Sequence, residues 1–486
     1  MVAEAEQVSI LMVTMALQGH MNPMLSLAKR LVSKGIHITI AINDVARHRM
    51  LKSKASTALS TTTTDTTSKP PGIDLVFYSD GLSPEFDRDS DVDLTLKSLR
   101  TVGSENLSNI ITNSDKKFSC IICNPFMPWM PDIAEKHGIP CAVLWIQACL
   151  VYSIYYHFFK YANSFPSLEN PNESIELPGL PVLQVKDLPS FIFPSSPEIF
   201  KKIVSEFLQK LDKVQWVLVN SFTELEEETV KSMNCYLHHI FPIGPLVSPF
   251  LFQKQEENII SNIDMWNSND NACIEWLDKR PPSSVIYISF GTITLLSQTQ
   301  MENLAIALEN SQKPFLWVIK AKENCFDHEN RGSELFLRFL EETKDRGMVV
   351  TWCPQDKVLM HKAIGCFFTH CGWNSSLEAV VAGVPVIAYP GWTDQPTVAK
   401  LLVDVLKIGV RIKVEEEGGE VVASADEIKR SILEITDGEK AEEIKKNVVE
   451  LRERAKKVVA DGGSSNENLD LFIKKITLNS SCFLKT

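Results

Sequence analysis

The sequence lacks an excess of basic charge: 49 Lys and Arg stand against 61 Asp and Glu, for a net charge of -12. That balance repels polyanions, which argues against nucleic acid or an anionic membrane face as a partner. Mean hydropathy of -0.03 leaves no room for a protein of many membrane spans. The first apolar run, VSILMVTMAL, follows acidic rather than basic residues and stops at Gln18, so it reads as a strand and not as a signal peptide. At the other end Cys482 misses the prenylation position by one residue. No targeting segment or membrane span is expected. No CxxC pair recurs at zinc spacing among the 11 cysteines, and the one CxxC, Cys120 and Cys123, sits inside an apolar run. Reduced core thiols and a reducing, cytoplasmic compartment follow from that usage. No GxGxxG follows an early strand, which removes the support for a nicotinamide-dependent dehydrogenase.

What is present is an alternation. A chain of 486 residues exceeds the size of one ordinary core. Short runs rich in Val, Ile and Phe alternate with helical patterns in both halves: 8–14, 37–42, 74–78, 119–123 and 141–146, then 284–290, 315–320, 347–352, 366–370 and 384–390. Parallel sheets built of βαβ units follow, an α/β protein of two doubly wound, Rossmann-like domains. The polar, aperiodic stretch 243–283 marks the linker. The expected division is residues 1–245, then 246–463 including that linker, then a tail helix over 464–486 that packs back across the interface. The Thr-rich segment 60–72 reads as a surface loop.

The informative stretch is CFFTHCGWNSSLEAVVAG, residues 366–383, where an apolar strand gives way to Gly372 and then a helix. Gly372 permits a sharp turn or a close backbone approach. A helix N-terminus at the carboxyl edge of an open sheet presents free N–H groups to an anion. His370, Asn374 and Ser375 add donors suited to a pyrophosphate, although a capped helix beside a satisfied histidine fits the fragment equally well. Its neighbours favour the ligand. Trp352 follows a strand with an indole face that could stack on a planar base, and Gln355 lies three residues on. Glu378 could accept from sugar hydroxyls, and Asp394 and Gln395 follow the next strand where they could meet a hexose.

With WCPQ, HxA, THCGWNSSLEA, GVPV and WTDQ in order and without insertion, Trp352 to Gln395 closely resembles the signature box of plant family-1 UDP-dependent glycosyltransferases. The looser likeness extends from GHMNP through SFGT to VDVLKIGVRI. The resemblance implies a GT-B fold with two Rossmann-like domains facing across a cleft, an acceptor-binding first domain and a UDP-sugar-binding second one. It implies that Trp352 stacks on uracil and the Cys353 backbone bonds its edge. Gln355 and Glu378 would hold the ribose, His370, Asn374, Ser375 and Thr292 the phosphates, and Trp373, Asp394 and Gln395 the transferred sugar. The terminal Gln implies glucose. Inverting transfer from UDP-glucose to a phenolic, flavonoid, terpenoid or carboxylic acid is the expected activity, with a monomer as the active form. Carbon attack, or a UDP-sugar-binding protein without catalysis, are the alternatives.

No cofactor and no metal are expected, because helix and side-chain donors can carry the charge of departing UDP. The run DRDSDVD, 87–93, offers overlapping DxD patterns but sits in a polar loop. His20 follows the first strand, at a sheet's carboxyl edge and with a pKa suited to a general base; the resemblance gives it that role. Relatives usually pair it with an Asp after the strand corresponding to SCIIC, where this chain has Asn124. An amide can accept from the imidazole but cannot stabilise the imidazolium, so a weaker base is expected. Either the acceptor is acidic enough to need little help, or another carboxylate such as Asp394 supplies the charge. Phe126, Trp145, Gln147 and Phe191 are the expected acceptor contacts, in an apolar pocket with few polar groups. Asn124→Asp is expected to widen the acceptor range toward less acidic alcohols; an unchanged acceptor profile would count against the acidity argument.

Overall fold

The computed structural model describes residues 8–57, 72–88, 90–161, 165, 168–237, 239–253, 272–291, 294–320, 334–417 and 420–483. Seven strands make the first sheet: β1 (Ser9–Thr14), β2 (His37–Asn43), β3 (Ile73–Tyr78), β4 (Cys120–Cys123), β5 (Cys141–Trp145), β6 (Trp216–Val219) and β7 (Ile240–Pro242). Their spatial order is 3-2-1-4-5-6-7, with every neighbour parallel. Six strands make the second: β8 (Val285–Ser289), β9 (Phe315–Val318), β10 (Gly347–Val350), β11 (Ile364–Thr369), β12 (Val386–Ala388) and β13 (Gly409–Arg411), in the order 10-9-8-11-12-13 and again parallel. These are two doubly wound, Rossmann-like sheets, as the alternation of runs and helices predicts.

Each of the ten apolar runs lies on a strand, with ends shifted by one or two residues either way, because a parallel sheet covered on both faces favours apolar residues along the strand. In the two sheets three strands go beyond that reading: β6, β7 and β13. Most of the Thr-rich segment and residues 254–271 of the expected linker lie outside the described residues.

The strand order reverses between β1 and β4 in the first sheet and between β8 and β11 in the second. A crevice opens outside the carboxyl ends of the strands at such a point, and that is where ligands bind in open α/β sheets. Five helices position the site: α1 (Gln18–Val32), α2 (Cys149–Lys160), α3 (Trp373–Ala382), α4 (Gln395–Lys400) and α5 (Ser464–Phe483). At the start of α2 the buried Glu226 accepts the Cys149 and Leu150 N–H groups at 3.0 and 2.9 Å, and the Ser221 hydroxyl donates to it as well. The carboxyl oxygens take two of the N–H groups that a helix start leaves open, although burial raises the Glu226 pKa.

Helix α5 lies on the first sheet. Its Leu469, Phe472 and Ile476 are fully buried, with the Phe472 ring 5.6 Å from Trp216 and 6.1 Å from Phe241. The Asn468 amide donates to the Pro242 carbonyl at 2.8 Å, and Ser465 donates to that of Gly244. Phe472→Ala empties this contact and is expected to cost about 3–5 kcal/mol, read as a lower urea midpoint; an unchanged midpoint would mean that α5 contributes little to the first domain.

Candidate functional site

His20 and Asn124 follow β1 and β4, the two strands at the first sheet's reversal. Helix α1 begins at Gln18, so His20 stands in its first turn rather than in a turn ahead of it, as the Gly19-His20 pair suggests. Its Nδ1 lies 2.9 Å from Asn124 Nδ2, while Asn124 Oδ1 accepts the Phe126 N–H at 2.9 Å. The Phe126 N–H fixes which end of the amide faces the ring. The expectation that the amide accepts from the imidazole is therefore corrected: here it donates. Burial pushes the His20 pKa down to about 4, and its Nε2 has no partner among the described residues.

Pro23 lies within α1 and has no N–H for the Gly19 carbonyl four residues earlier. Asn374 Nδ2 takes that carbonyl at 2.8 Å, joining the second sheet's helix α3 to the turn that carries His20. Beside it Trp373, 4 % exposed, gives its indole N–H to the Asn220 carbonyl at 2.7 Å. Both residues thus face the first domain. Trp373 is a bridging residue with little surface left for a sugar, and the Oδ1 of Asn374 is buried without a partner.

The second sheet's reversal carries the rest. His370 follows β11, and added Cβ atoms on Gly291 and Gly372 would come within 2.6 and 2.4 Å of its ring, so both glycines serve close approach. The left-handed residue is not Gly372 but Cys371, with φ 63°. Burial, and then the charge of Lys320, push the His370 pKa down to about 4, and its Nδ1 is buried and unpartnered. Lys320 follows β9 at the same edge and donates to the Thr294 carbonyl. Thr292 lies outside the described residues. Gly372 caps α3 with no side-chain bond, and the first intrahelical bond at this end runs from the Ser376 N–H to the Gly372 carbonyl at 2.9 Å. The N–H groups ahead of Ser376 have no carbonyl within the helix to reach.

Gln355 ties the neighbouring groups together. Its Nε2 donates to Glu378 at 2.6 Å and to Ser375 at 3.1 Å, and its Oε1 accepts from Tyr287 at 2.9 Å. Glu378 stands in the second turn of α3, and burial pushes its pKa up to about 7. Trp352 is half-buried with no ring against it among the described residues, and Cys353 is buried with its thiol 3.4 Å from the Tyr287 hydroxyl. Gln395 Oε1 accepts the Gly391 and Trp392 N–H groups at 2.9 and 3.1 Å. Asp394 accepts from Thr393 at 2.7 Å and from the Gln147 amide, whose own Oε1 is buried and unpartnered.

An aromatic wall runs across the cleft: His20 lies 5.2 Å from Phe126, Phe126 6.5 Å from Phe191, and Phe191 6.0 Å from Trp392 of the second domain. Trp145 does not join it. That indole is 1 % exposed, packs on Tyr152 and Phe207, and donates to the Ala148 carbonyl. It faces the core because the last residue of β5 points to the side covered by α2. The acidic run is also occupied otherwise: Asp91 caps the helix Val92–Ser98 by accepting the Leu94 N–H at 2.9 Å, and Asp89 lies outside the described residues.

Sequence reasoning missed a clamp. Ser190 and Thr393 exchange two hydrogen bonds of 2.7 Å, Thr397 donates to the Asp187 carbonyl at 2.6 Å, and Arg411 bonds the buried Asp187 carboxylate at 2.6 Å. Asp187, Ser190, Asn220 and Lys320 have no local motif, whereas Trp392 lies in WTDQ and was not singled out. Among the first four, only the position of Lys320 at the end of an apolar run offered a signal.

Two facing nucleotide-type sheets with anion donors at one reversal and a histidine at the other define a sugar-nucleotide-dependent glycosyltransferase of the GT-B class. The model of the family "UDP-glucoronosyl and UDP-glucosyl transferase" matches residues 251–452. UDP-glycosyltransferase 84B1 of Arabidopsis thaliana is 47% identical over 98% of this chain and 99% of its own length. Gallate 1-beta-glucosyltransferase of Quercus robur is 37% identical over 97% and 90%. The crystal structure of Os79 from O. sativa in complex with UDP superposes with a TM-score of 0.81 at 30% identity, covering 96% of this chain and 100% of that one. The chain belongs to the UDP-glucuronosyl and UDP-glucosyl transferase family and is a UDP-dependent glycosyltransferase.

Glu378 makes a pH test. Its folded pKa of about 7 exceeds the ordinary 4.5, so the folded state holds the extra proton between those values and stability falls as pH rises through that window. Asp356 adds a repelling charge and Gln355 a stabilising bond. Glu378→Gln is expected to gain stability relative to the parent protein between pH 5 and pH 8 in denaturant melts; a constant difference between the two would mean Glu378 titrates normally.

Proposed function

We propose that the protein transfers glucose from UDP-glucose, with inversion at the anomeric carbon, to a small lipophilic acceptor bearing a carboxyl group. The observation that carries the acceptor class is the His20–Asn124 pair, a histidine held by a neutral amide where base catalysis on an alcohol would call for a carboxylate. A carboxylic acid arrives ionised at neutral pH and needs no proton removed. The Quercus robur relative, named for gallate, supports that class.

In this reading Trp352 stacks on uracil with the Cys353 backbone at its edge, and Gln355 and Glu378, braced by Tyr287, hold the ribose. The phosphates lie at the N-terminus of α3 against Ser375, Asn374, Thr292 and His370, with Lys320 behind. Asp394 and Gln395 hold the glucose, and Trp373 supports them from the domain junction. The departing UDP gathers charge where free N–H groups, the helix dipole and Lys320 already point. Phe126, Phe191 and Trp392 receive the apolar body of the acceptor, with Gln147 at its rim. Residues 1–245 bind the acceptor and 246–463 the donor, while the tail helix over 464–486 returns to the first domain. All of these groups come from one chain, which supports an active monomer, and the nine described free thiols suit a reducing cytoplasm.

The test is an acceptor screen with UDP-glucose and EDTA present, across carboxylic acids, phenols and alcohols, with products read by mass and by alkali lability. Alkali-labile glucose esters are expected, unaffected by EDTA. Stable products confined to phenols or carbons would overturn the acceptor class, and dependence on added metal would overturn the account of the leaving group. His20→Ala is expected to abolish transfer while sparing UDP binding by calorimetry. If instead no donor gives product with the parent protein, the chain is a UDP-sugar-binding protein.

A further inference from the structure

In a dyad built for base catalysis, a carboxylate accepts the Nδ1–H of the histidine and leaves the Nε2 lone pair free to take a proton. The pair in this cleft is wired the other way. Asn124 Oδ1 is committed to the Phe126 N–H at 2.9 Å, so the group facing His20 Nδ1 at 2.9 Å is the amide nitrogen. An amide nitrogen has only protons to offer, so Nδ1 must accept and the single ring proton of a neutral imidazole sits on Nε2. Turning the amide over would set its NH2 against the Phe126 N–H, donor to donor, and lose that bond. Burial keeps the ring neutral, with a pKa near 4, so the second ring proton is absent at ordinary pH.

We propose that Asn124 is a positioning residue that locks His20 in the Nε2–H tautomer, making His20 a hydrogen-bond donor to an acceptor that arrives as an anion. The proposal rests on the transfer reading above and assigns the histidine a different part in it. A carboxylate oxygen, held by Nε2–H, forms the bond to C1 of glucose as the bond from C1 to the β-phosphate oxygen breaks. The electron pair leaves with UDP, and no proton changes hands. A neutral alcohol meets the same Nε2–H and finds no base, because the nitrogen that would take its proton already carries one. Selection for ionised acceptors is thereby built from one amide and one backbone N–H.

The tautomer is read directly by long-range proton–nitrogen NMR on the full-length protein labelled with 15N-histidine, in the presence of UDP, with His20→Gln used to assign the signals. The expected pattern is an unprotonated Nδ1 and a protonated Nε2 at His20, reversing in Asn124→Asp. A protonated Nδ1 in the parent protein overturns the proposal whatever acceptors it uses. If the pattern holds but no carboxylic acid is glucosylated, the transfer reading fails and the tautomer assignment stands. Kinetics give a second readout, since Gln can donate from its amide but cannot act as a base. With an aromatic carboxylic acid, His20→Gln is expected to keep at least ~10-fold more kcat/KM than His20→Ala. Equal losses in the two variants would overturn the donor role.

Discussion

Pro23 has no N–H, and the Gly19 carbonyl it leaves open is where the second domain takes hold, 2.8 Å from the Asn374 amide. The contact sits one residue from His20, so the same helical turn that presents the histidine also receives helix α3 of the second domain. Trp373, Thr393, Thr397 and Arg411 extend the junction along one side of the cleft. Their partners are main-chain carbonyls, the Ser190 hydroxyl and N–H, and the buried Asp187, which also accepts the Gln184 N–H at 3.0 Å. A carboxylate in such surroundings needs each of those bonds, since leaving one charge of a buried pair without its partner is strongly destabilising. The cleft is therefore fixed in shape by polar contacts, while its lining stays aromatic.

Burial sets the chemistry of the groups inside it. His20 and His370 are pushed toward the neutral imidazole and Glu378 toward the neutral carboxyl, in each case first by loss of solvent. The buried polar atoms without a partner in the described structure include Asn374 Oδ1, His370 Nδ1 and Gln147 Oε1. Native proteins leave few such atoms, and those they leave call for an explanation. All three stand at the cleft, and a bound sugar nucleotide and acceptor would supply what they lack.

Much of the fold was legible because each parallel strand is covered on both faces and reads as an unbroken apolar run, as SILMVT and CFFT do. The donor groups were legible for a related reason: Trp352, His370, Asp394 and Gln395 follow consecutive strands and reach one edge within a short span of chain. Where the reading went astray, direction was at fault. Trp145 is an aromatic residue at a strand end like others near the cleft, and only the face of β5 on which it falls sends it into the core. Trp373 lies within the recognised box yet turns to Asn220.

The sequence by itself determined the two doubly wound sheets, the open helix N-terminus after the fourth strand of the second domain and the substitution of an amide for a carboxylate beside His20. Periodicity and short-range spacing carry that information, because strands, turns and helix starts are local events. Only the tertiary structure decided that Asn374 reaches Gly19 across 355 positions, that Asp187 and Ser190 clamp the second domain, and that Asn124 donates to His20 rather than accepting from it. A hydrogen bond's direction depends on every partner the two groups have, and the Phe126 N–H that settles this one enters only when the chain has folded.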